Sequence, residues 1–161
     1  MVVPWTELET PMEITGISWQ HSHEGDTAAW YADTEMYLGL CPDTVLSPFF
    51  DLNFLDGTKT LVMSADTLTL TAGYLEWFTF QLPAPFAVPE GSNLLIEISR
   101  SGGDGFFFTW RWYTRGMRTL SATDPAAQTG YPEGVSSMLM IEYEQGTSEA
   151  TWGAIKAGFP D

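Results

Sequence analysis

Basic residues are scarce in this chain, which has 6 lysines and arginines against 21 aspartates and glutamates among its 161 residues. The formal net charge of -15 repels phosphate backbones and anionic lipid headgroups, so nucleic acids and membrane surfaces are poor partners. Four of the six bases nevertheless lie close together in the sequence, at Arg100, Arg111, Arg115 and Arg118. They either neutralise carboxylates of their own domain or give one end of the molecule a positive potential that orients an acidic neighbour.

Disulfide bonds, membrane-spanning runs and catalytic motifs are also missing. The single cysteine, Cys41, excludes an intramolecular disulfide bond. No run approaches the roughly 18 apolar residues of a membrane-spanning helix, and no N-terminal signal peptide is visible. Gly-x-Ser-x-Gly and P-loop patterns are absent, and among 21 acids a chance carboxylate pair carries almost no signal for glycoside hydrolysis. We therefore expect neither an enzyme nor a protein that inserts into a membrane.

The composition is that of a folded β protein, with 44% hydrophobic and 14% aromatic residues. Helical periodicity is nearly absent, whereas strand signals recur between turn residues at 13–20, 28–40, 59–64, 67–72, 77–82, 93–99, 106–113, 117–123 and 137–143. Long connections at 41–58 and 124–136 favour a Greek-key path over a meander. The predicted fold class is all-β, a single antiparallel β-sandwich with jelly-roll-like topology over residues 12–145. An N-terminal arm (1–11) and a C-terminal tail (146–161) flank it.

The run from Phe106 to Tyr113 has six aromatic residues, one threonine and one arginine in eight positions, which suits a β-strand. Alternation would place Phe106, Phe108, Trp110 and Trp112 in the core and the intervening residues at the surface. Exposed rings stack on sugar faces, so outward residues here and on other strands form a candidate carbohydrate platform: Phe107, Arg111, Tyr113, Trp77, Tyr31 and Tyr37. The alternative is that most of these rings are core residues.

The N-terminal arm is apolar enough to need a partner surface. Such an arm can be donated to the open sheet edge of a neighbouring subunit, which is a contact that propagates into a fibre. Nearby arginines would then face the acidic surface of that subunit. Subunit contact is therefore expected at Val2, Val3, Trp5, Leu8, Arg115 and Arg118. The alternative is an arm that packs on its own domain.

Two polar segments are candidate metal sites. Asp51, Asn53 and Asp56 offer three oxygen ligands within a short turn, so calcium is the candidate cofactor. The alternative is that these residues cap and close turns. His21 and His23 lack a third histidine, so a solvated loop is the preferred interpretation there.

One stretch carries a resemblance to a known group of proteins. Residues 77–86 (Trp-Phe-Thr-Phe-Gln-Leu-Pro-Ala-Pro-Phe) and 91–98 (Gly-Ser-Asn-Leu-Leu-Ile-Glu-Ile) resemble β-sandwich modules of large secreted bacterial proteins that carry C-terminal anchor or sorting domains. The sequence Thr-Trp-Gly-Ala-Ile-Lys at 151–156 is similar to the ends of such modules. The resemblance implies an extracellular or cell-surface location, a non-catalytic role and no catalytic residues.

These observations together predict a non-catalytic extracellular structural or adhesive module. Its specific form would be a self-assembling surface-filament subunit that exchanges a terminal strand with its neighbour. Its expected partners are copies of itself or neighbouring domains of a larger secreted assembly. The alternative is a carbohydrate-binding module that holds a polysaccharide on an aromatic platform.

Overall fold

The computed structural model describes residues 1–114 and 116–144, which contain almost no helix. The helical elements within those ranges are two 3-10 turns, Trp5–Glu7 and Phe50–Asn53. The same residues form thirteen strands: β1 (Val2–Val3), β2 (Met12–Gly25), β3 (Ala28–Cys41), β4 (Thr60–Thr71), β5 (Trp77–Val88), β6 (Asn93–Ser99), β7 (Gly102–Asp104), β8 (Phe107–Thr109), β9 (Arg111–Tyr113), β10 (Thr119–Ser121), β11 (Tyr131–Glu133), β12 (Val135–Ser137) and β13 (Leu139–Glu144).

These strands build two antiparallel sheets. In the first sheet the order is β1-β6-β3-β4, with β7 beside the first half of β3. In the second sheet the order is β13-β2-β5, with β8 beside the end of β2. Two short ribbons pair β9 with β12 and β10 with β11. The chain crosses from one sheet to the other after β1, β2, β4, β5 and β7, as in a jelly-roll-like sandwich, and the predicted all-β fold class is confirmed.

The core lies between the two sheets and takes side chains from both. Ile14, Ile17 and Ile141 come from the second sheet, Met36 and Leu38 come from the first, and all five are buried. Full burial of a side chain of this size contributes about 1.5–3 kcal/mol relative to leaving it exposed. The core therefore fixes which face of each strand points inward and which remains for binding.

Two strands are longer than the sequence pattern indicates. The pattern predicts separate strands at 59–64 and 67–72, but β4 is a single strand because β3 pairs with it almost throughout. Strand β5 runs through Pro83 and Pro85 to Val88, beyond the predicted end at residue 82. Proline cannot donate a ladder hydrogen bond, and it is accommodated here because β5 is the edge strand of its sheet.

The face of β3 that points inward changes at Asp33. This residue has a φ of 47°, a left-handed conformation that offsets the alternation of side chains along the strand. Before it, Tyr31 is only 9% exposed and Trp30 is 46% exposed. After it, the even-numbered Thr34 and Met36 are buried. The expectation that Tyr31 belongs to a surface platform is therefore wrong.

The N-terminal arm lies on its own domain. Strand β1 pairs with β6, Val2 and Val3 are 1% and 7% exposed, and Leu8 is also buried. The amine of Met1 donates a hydrogen bond to a carbonyl oxygen of β6 across 2.7 Å. Of the expected contact residues in the arm, Trp5 keeps an exposed side chain. In the single chain the arm adopts the alternative arrangement, and its donation to a neighbouring subunit remains a prediction.

Arg118 ties the arm to the second half of the chain. Its guanidinium donates to the carboxylate of Glu7 across 2.6 Å, and its carbonyl accepts a hydrogen bond from the N–H of Val2 at 2.8 Å. Its side chain is therefore committed to a contact within the chain. The other expected contact arginine, Arg115, lies outside the described residues.

Two loops cover the outer face of the first sheet. The N–H of Leu46 donates to the carbonyl of Met117, and the N–H of Phe50 donates to the carbonyl of Gln128. Beneath these loops lies a second, smaller apolar cluster made of Val2, Cys41, Leu46 and Leu95. The loops thus form a third layer, and the space between that layer and the edge of the sheet becomes a groove.

Candidate functional site

The first part of the aromatic run, residues 106–108, is turned over relative to its predicted orientation, whereas Arg111 and Tyr113 are exposed as predicted. Phe107 is 9% exposed, whereas Phe106 and Phe108 are 71% and 46% exposed. The Phe107 ring lies 4.2 Å from that of His21 and 5.1 Å from that of Phe78, in the interior. The expectation of a surface Phe107 is therefore wrong, as is that of a core Phe106 and Phe108. The physical reason is that β2 is irregular where it pairs with β8, so uniform alternation does not hold there.

Three exposed rings lie around Gly25 at one end of the sandwich and form an aromatic tip, which consists of Tyr74, Phe106 and Phe108. The Tyr74 side chain is 55% exposed, and its hydroxyl donates to the carbonyl of Gly25 across 3.2 Å. The rings of Phe106 and Phe108 have centroids 6.3 Å apart. Several large exposed rings around one turn are a feature of interaction surfaces.

Backbone hydrogen bonds hold the tip in place. The N–H of Asp26 donates to the carbonyl of Phe106 at 2.9 Å, and the carboxylate of Asp26 accepts from the N–H of Phe106 at 2.7 Å. Gly25 has a φ of 90°, and a Cβ there would lie 2.2 Å from the carbonyl oxygen of Phe106. Only glycine allows this approach, so the turn between β2 and β3 positions the exposed rings rigidly.

His21 supports the tip from inside. Its imidazole is stacked 5.6 Å from the Tyr74 ring, and its Nδ1 lies 3.2 Å from the carbonyl oxygen of Gly73. Its Nε2 is buried and has no hydrogen-bond partner among the described residues. His23 instead is exposed near Trp110, with ring centroids 5.0 Å apart. The two histidines thus occupy different environments.

The remaining candidates for an aromatic platform lie on separate surfaces. Trp77 is 39% exposed on β5 of the second sheet, whereas Tyr37 is half-buried on β3 of the first. The hydroxyl of Tyr37 donates to Glu35 across 3.0 Å, and this hydrogen bond raises the pKa of Tyr37. Tyr113 is 93% exposed on the ribbon of β9 and β12. The structure therefore does not gather these rings into one platform.

A polar groove of about 890 Å3 opens between strands β6 and β7 and the loop at 120–128. Three of the four bases in the described residues line it, namely Lys59, Arg100 and Arg111. Lys59 pairs with Glu97 at 2.8 Å, and Arg111 lies 3.8 Å from a carboxylate oxygen of Glu133. Arg111 is a predicted binding residue, whereas the groove itself could not be predicted from the sequence because it depends on how the loop folds back.

Arg100 is the unusual base of the groove. Its guanidinium carbon lies 4.2 Å from the centroid of the Tyr31 ring, which is a cation–π contact. No carboxylate lies within 4.0 Å of it in residues 1–114 and 116–144. Asp51, Glu97 and Asp124 also line the groove, so three acids balance its three bases. The groove is thus locally neutral in a strongly acidic protein.

The three candidate calcium ligands differ in burial. Asn53 is 5% exposed, and its side-chain oxygen accepts from the N–H of Ser47 at 2.7 Å. Its side-chain nitrogen donates to the carbonyls of Ser47 and Phe49, at 3.0 and 2.8 Å. Asp51 and Asp56 are exposed at the surface. The described residues contain no group of three or more acidic, histidine or cysteine side chains arranged to hold a metal ion.

Comparison with protein-family models, with curated proteins and with solved structures finds no match to this chain. Within the described ranges, no helix has the length and apolar character needed to span a bilayer. The class of protein that the fold defines is an all-β sandwich, and its two candidate binding surfaces are the aromatic tip and the polar groove.

Proposed function

We propose that this protein is a non-catalytic extracellular structural or adhesive module that makes its main contact through the aromatic tip. The observation that carries this proposal is the exposure of Phe106, Phe108 and Tyr74, at 71%, 46% and 55%. Covering large rings of this kind removes apolar surface from water, and aromatic residues supply much of the binding energy at protein interfaces. The extracellular location rests on the resemblance of residues 77–98 to secreted modules.

The tip is suited to binding because it is already ordered. The hydrogen bonds between Asp26 and Phe106, together with that from Tyr74 to Gly25, hold the rings without a partner. A preorganised surface loses little conformational entropy on association. The expected partner is a second copy of the chain or a neighbouring domain, and exchange of the N-terminal arm is the more specific form of such an assembly.

Sedimentation velocity over a range of protein concentrations tests this contact. We expect self-association that strengthens at high salt, because salt screens the repulsion between molecules of net charge -15. Phe106→Ser combined with Phe108→Ser should abolish it. The matched control is Tyr113→Ser combined with Tyr131→Ser, which removes two rings that are 93% and 77% exposed elsewhere. Monomers at every concentration and salt, without assemblies in electron micrographs, would contradict the proposal.

A second candidate function is carbohydrate binding at the polar groove. Its volume of about 890 Å3 is within the range of small-molecule sites, roughly 300–1,000 Å3. Ser99, Ser101 and Gln128 line it and can exchange hydrogen bonds with sugar hydroxyls. Titration calorimetry with neutral and acidic oligosaccharides tests this function, and no heat with any of them would exclude it.

A further inference from the structure

We propose that the polar groove binds a carboxylated oligosaccharide and that the guanidinium of Arg100 receives its carboxylate. This inference rests on the second candidate function, carbohydrate binding, and is independent of the aromatic tip. The aromatic platform predicted from the sequence includes neither Arg100 nor the loop at 120–128, so the groove is a different site.

The environment of Arg100 leaves it available to a ligand. Lys59 and Arg111 each lie within 4.0 Å of a carboxylate, whereas Arg100 does not among the described residues. One face of its guanidinium is occupied by the Tyr31 ring, at 4.2 Å, which leaves the donors at its edge. Those donors form a planar fork that matches the two oxygens of a carboxylate.

The position of this guanidinium is built by the local backbone. Gly103 has a φ of 148°, and a Cβ there would lie 2.5 Å from the Trp30 carbonyl oxygen and from the Tyr31 ring. The same Cβ would lie 3.2 Å from a terminal nitrogen of Arg100. Glycine at this position therefore lets β7 pack against β3 while the guanidinium remains over the ring.

The rest of the lining favours a sugar over a highly charged polymer. Three acids balance the three bases, so the groove has no excess positive charge for a dense polyanion. Four hydroxyl side chains and the amide of Gln128 lie among the other lining residues, and the Phe50 ring at the wall can stack on a sugar face. A groove whose charges balance, and in which Arg100 has no carboxylate partner among the described residues, fits a ligand that carries few carboxylates among many hydroxyls.

Titration calorimetry tests the inference with three acidic probes: oligogalacturonate, oligomannuronate and an oligosaccharide that contains glucuronate. We expect at least one of them to bind, and its methyl ester, which has the same shape without the charge, to bind about tenfold more weakly. Arg100→Gln should weaken binding of the acid by a similar factor and leave the affinity for the ester unchanged. Arg100→Lys should fall between, because a lysine keeps the charge but loses the planar fork.

One matched control variant and three possible outcomes complete the test of carboxylate binding by Arg100. Glu24→Gln changes an exposed charge outside the groove and should leave the affinity unchanged, and thermal unfolding confirms that each variant folds. Equal affinity for acid and ester overturns the role of Arg100 while carbohydrate binding stands. No binding of any acidic or neutral oligosaccharide overturns both. Equally tight binding of tetraglutamate overturns the assignment to a sugar in favour of an acidic peptide.

Discussion

The Phe107 ring lies 4.2 Å from the His21 imidazole in the interior of the sandwich, while the rings on either side of Phe107 point into solvent. We therefore expect Phe107→Ala to lower the free energy of unfolding by about 3–5 kcal/mol, through lost burial and a cavity beside His21. Phe106→Ala, the matched control one residue away, should change it by less than about 0.5 kcal/mol. Urea unfolding monitored by tryptophan fluorescence measures both, and equal effects would contradict the observed orientation.

Side-chain orientation could be predicted from the sequence only where a strand is regular. Along β5, Trp77 is exposed as predicted, and the alternate residues Phe78 and Phe80 are half-buried. The same reasoning is wrong at Tyr31 and at Phe107, because one residue in a left-handed conformation or one bulge reverses the faces. The alternation of hydrophobic residues in the sequence does not indicate where such a left-handed residue or bulge will occur.

The candidate sites were less accessible to prediction than the fold. Clustering of the arginines indicated a basic neighbourhood, and Arg111 does line the groove. The importance of Arg100 depends on its contact with Tyr31 and on a loop that returns from residues 120–128, and neither is local in sequence. The signal that could have been read is the pair of glycines at 102–103, two residues after this arginine, because paired glycines indicate a close approach of backbone.

Asn53 is expected to stabilise a turn. Asn53→Ala would leave three backbone groups of Ser47 and Phe49 without their partners, so we expect a loss of about 2–3 kcal/mol. Asp51→Ala, which alters an exposed residue of the same segment, serves as the control and should be nearly neutral. Thermal unfolding measures both. A rise in melting temperature with millimolar calcium that Asp51→Ala removes would instead support the metal hypothesis.

Tyr143 should make stability fall at high pH. Burial and the hydrogen bond that its hydroxyl donates to Glu9 raise the pKa of Tyr143 to about 12, against 10.0 for an ordinary tyrosine. The folded state therefore keeps the proton that the unfolded state releases, so this contribution is complete below pH 10 and is lost between pH 10 and 12. The loss amounts to about 2–3 kcal/mol.

Tyr143→Phe isolates this contribution. The variant should lose about 0.5–1.5 kcal/mol at neutral pH, where the hydrogen bond to Glu9 is missing. Between pH 10 and 12 it should lose less stability than the wild type, because the other tyrosines titrate equally in both proteins. Parallel curves of unfolding free energy against pH would show that Tyr143 does not carry the effect.

In a chain that begins at Met1, the N-terminal amine should make the free energy of unfolding rise with pH, which is opposite in direction to the effect of Tyr143. Burial lowers the pKa of this amine from 8.0 to about 6. Between these values the unfolded state binds the proton more tightly, so the free energy of unfolding should rise by about 2–3 kcal/mol from pH 6 to pH 8. Acetylation of the amine should remove this rise, and a rise that persists after acetylation would assign it to other groups.

Removal of the arm distinguishes a structural arm from one that is exchanged. Deletion of residues 1–11 uncovers β6 and removes Val2 and Val3 from buried sites, and it leaves the partly buried Arg118 without Glu7. We expect a loss of more than about 3 kcal/mol, since two buried side chains and an ion pair disappear together. Adding a peptide of residues 1–11 should restore stability by binding in trans, which thermal unfolding at rising peptide concentration measures. An arm exchanged between subunits would have to bind in the same way as this peptide. Strand exchange would be contradicted if the truncated chain stayed fully stable, or if the peptide did not raise its stability.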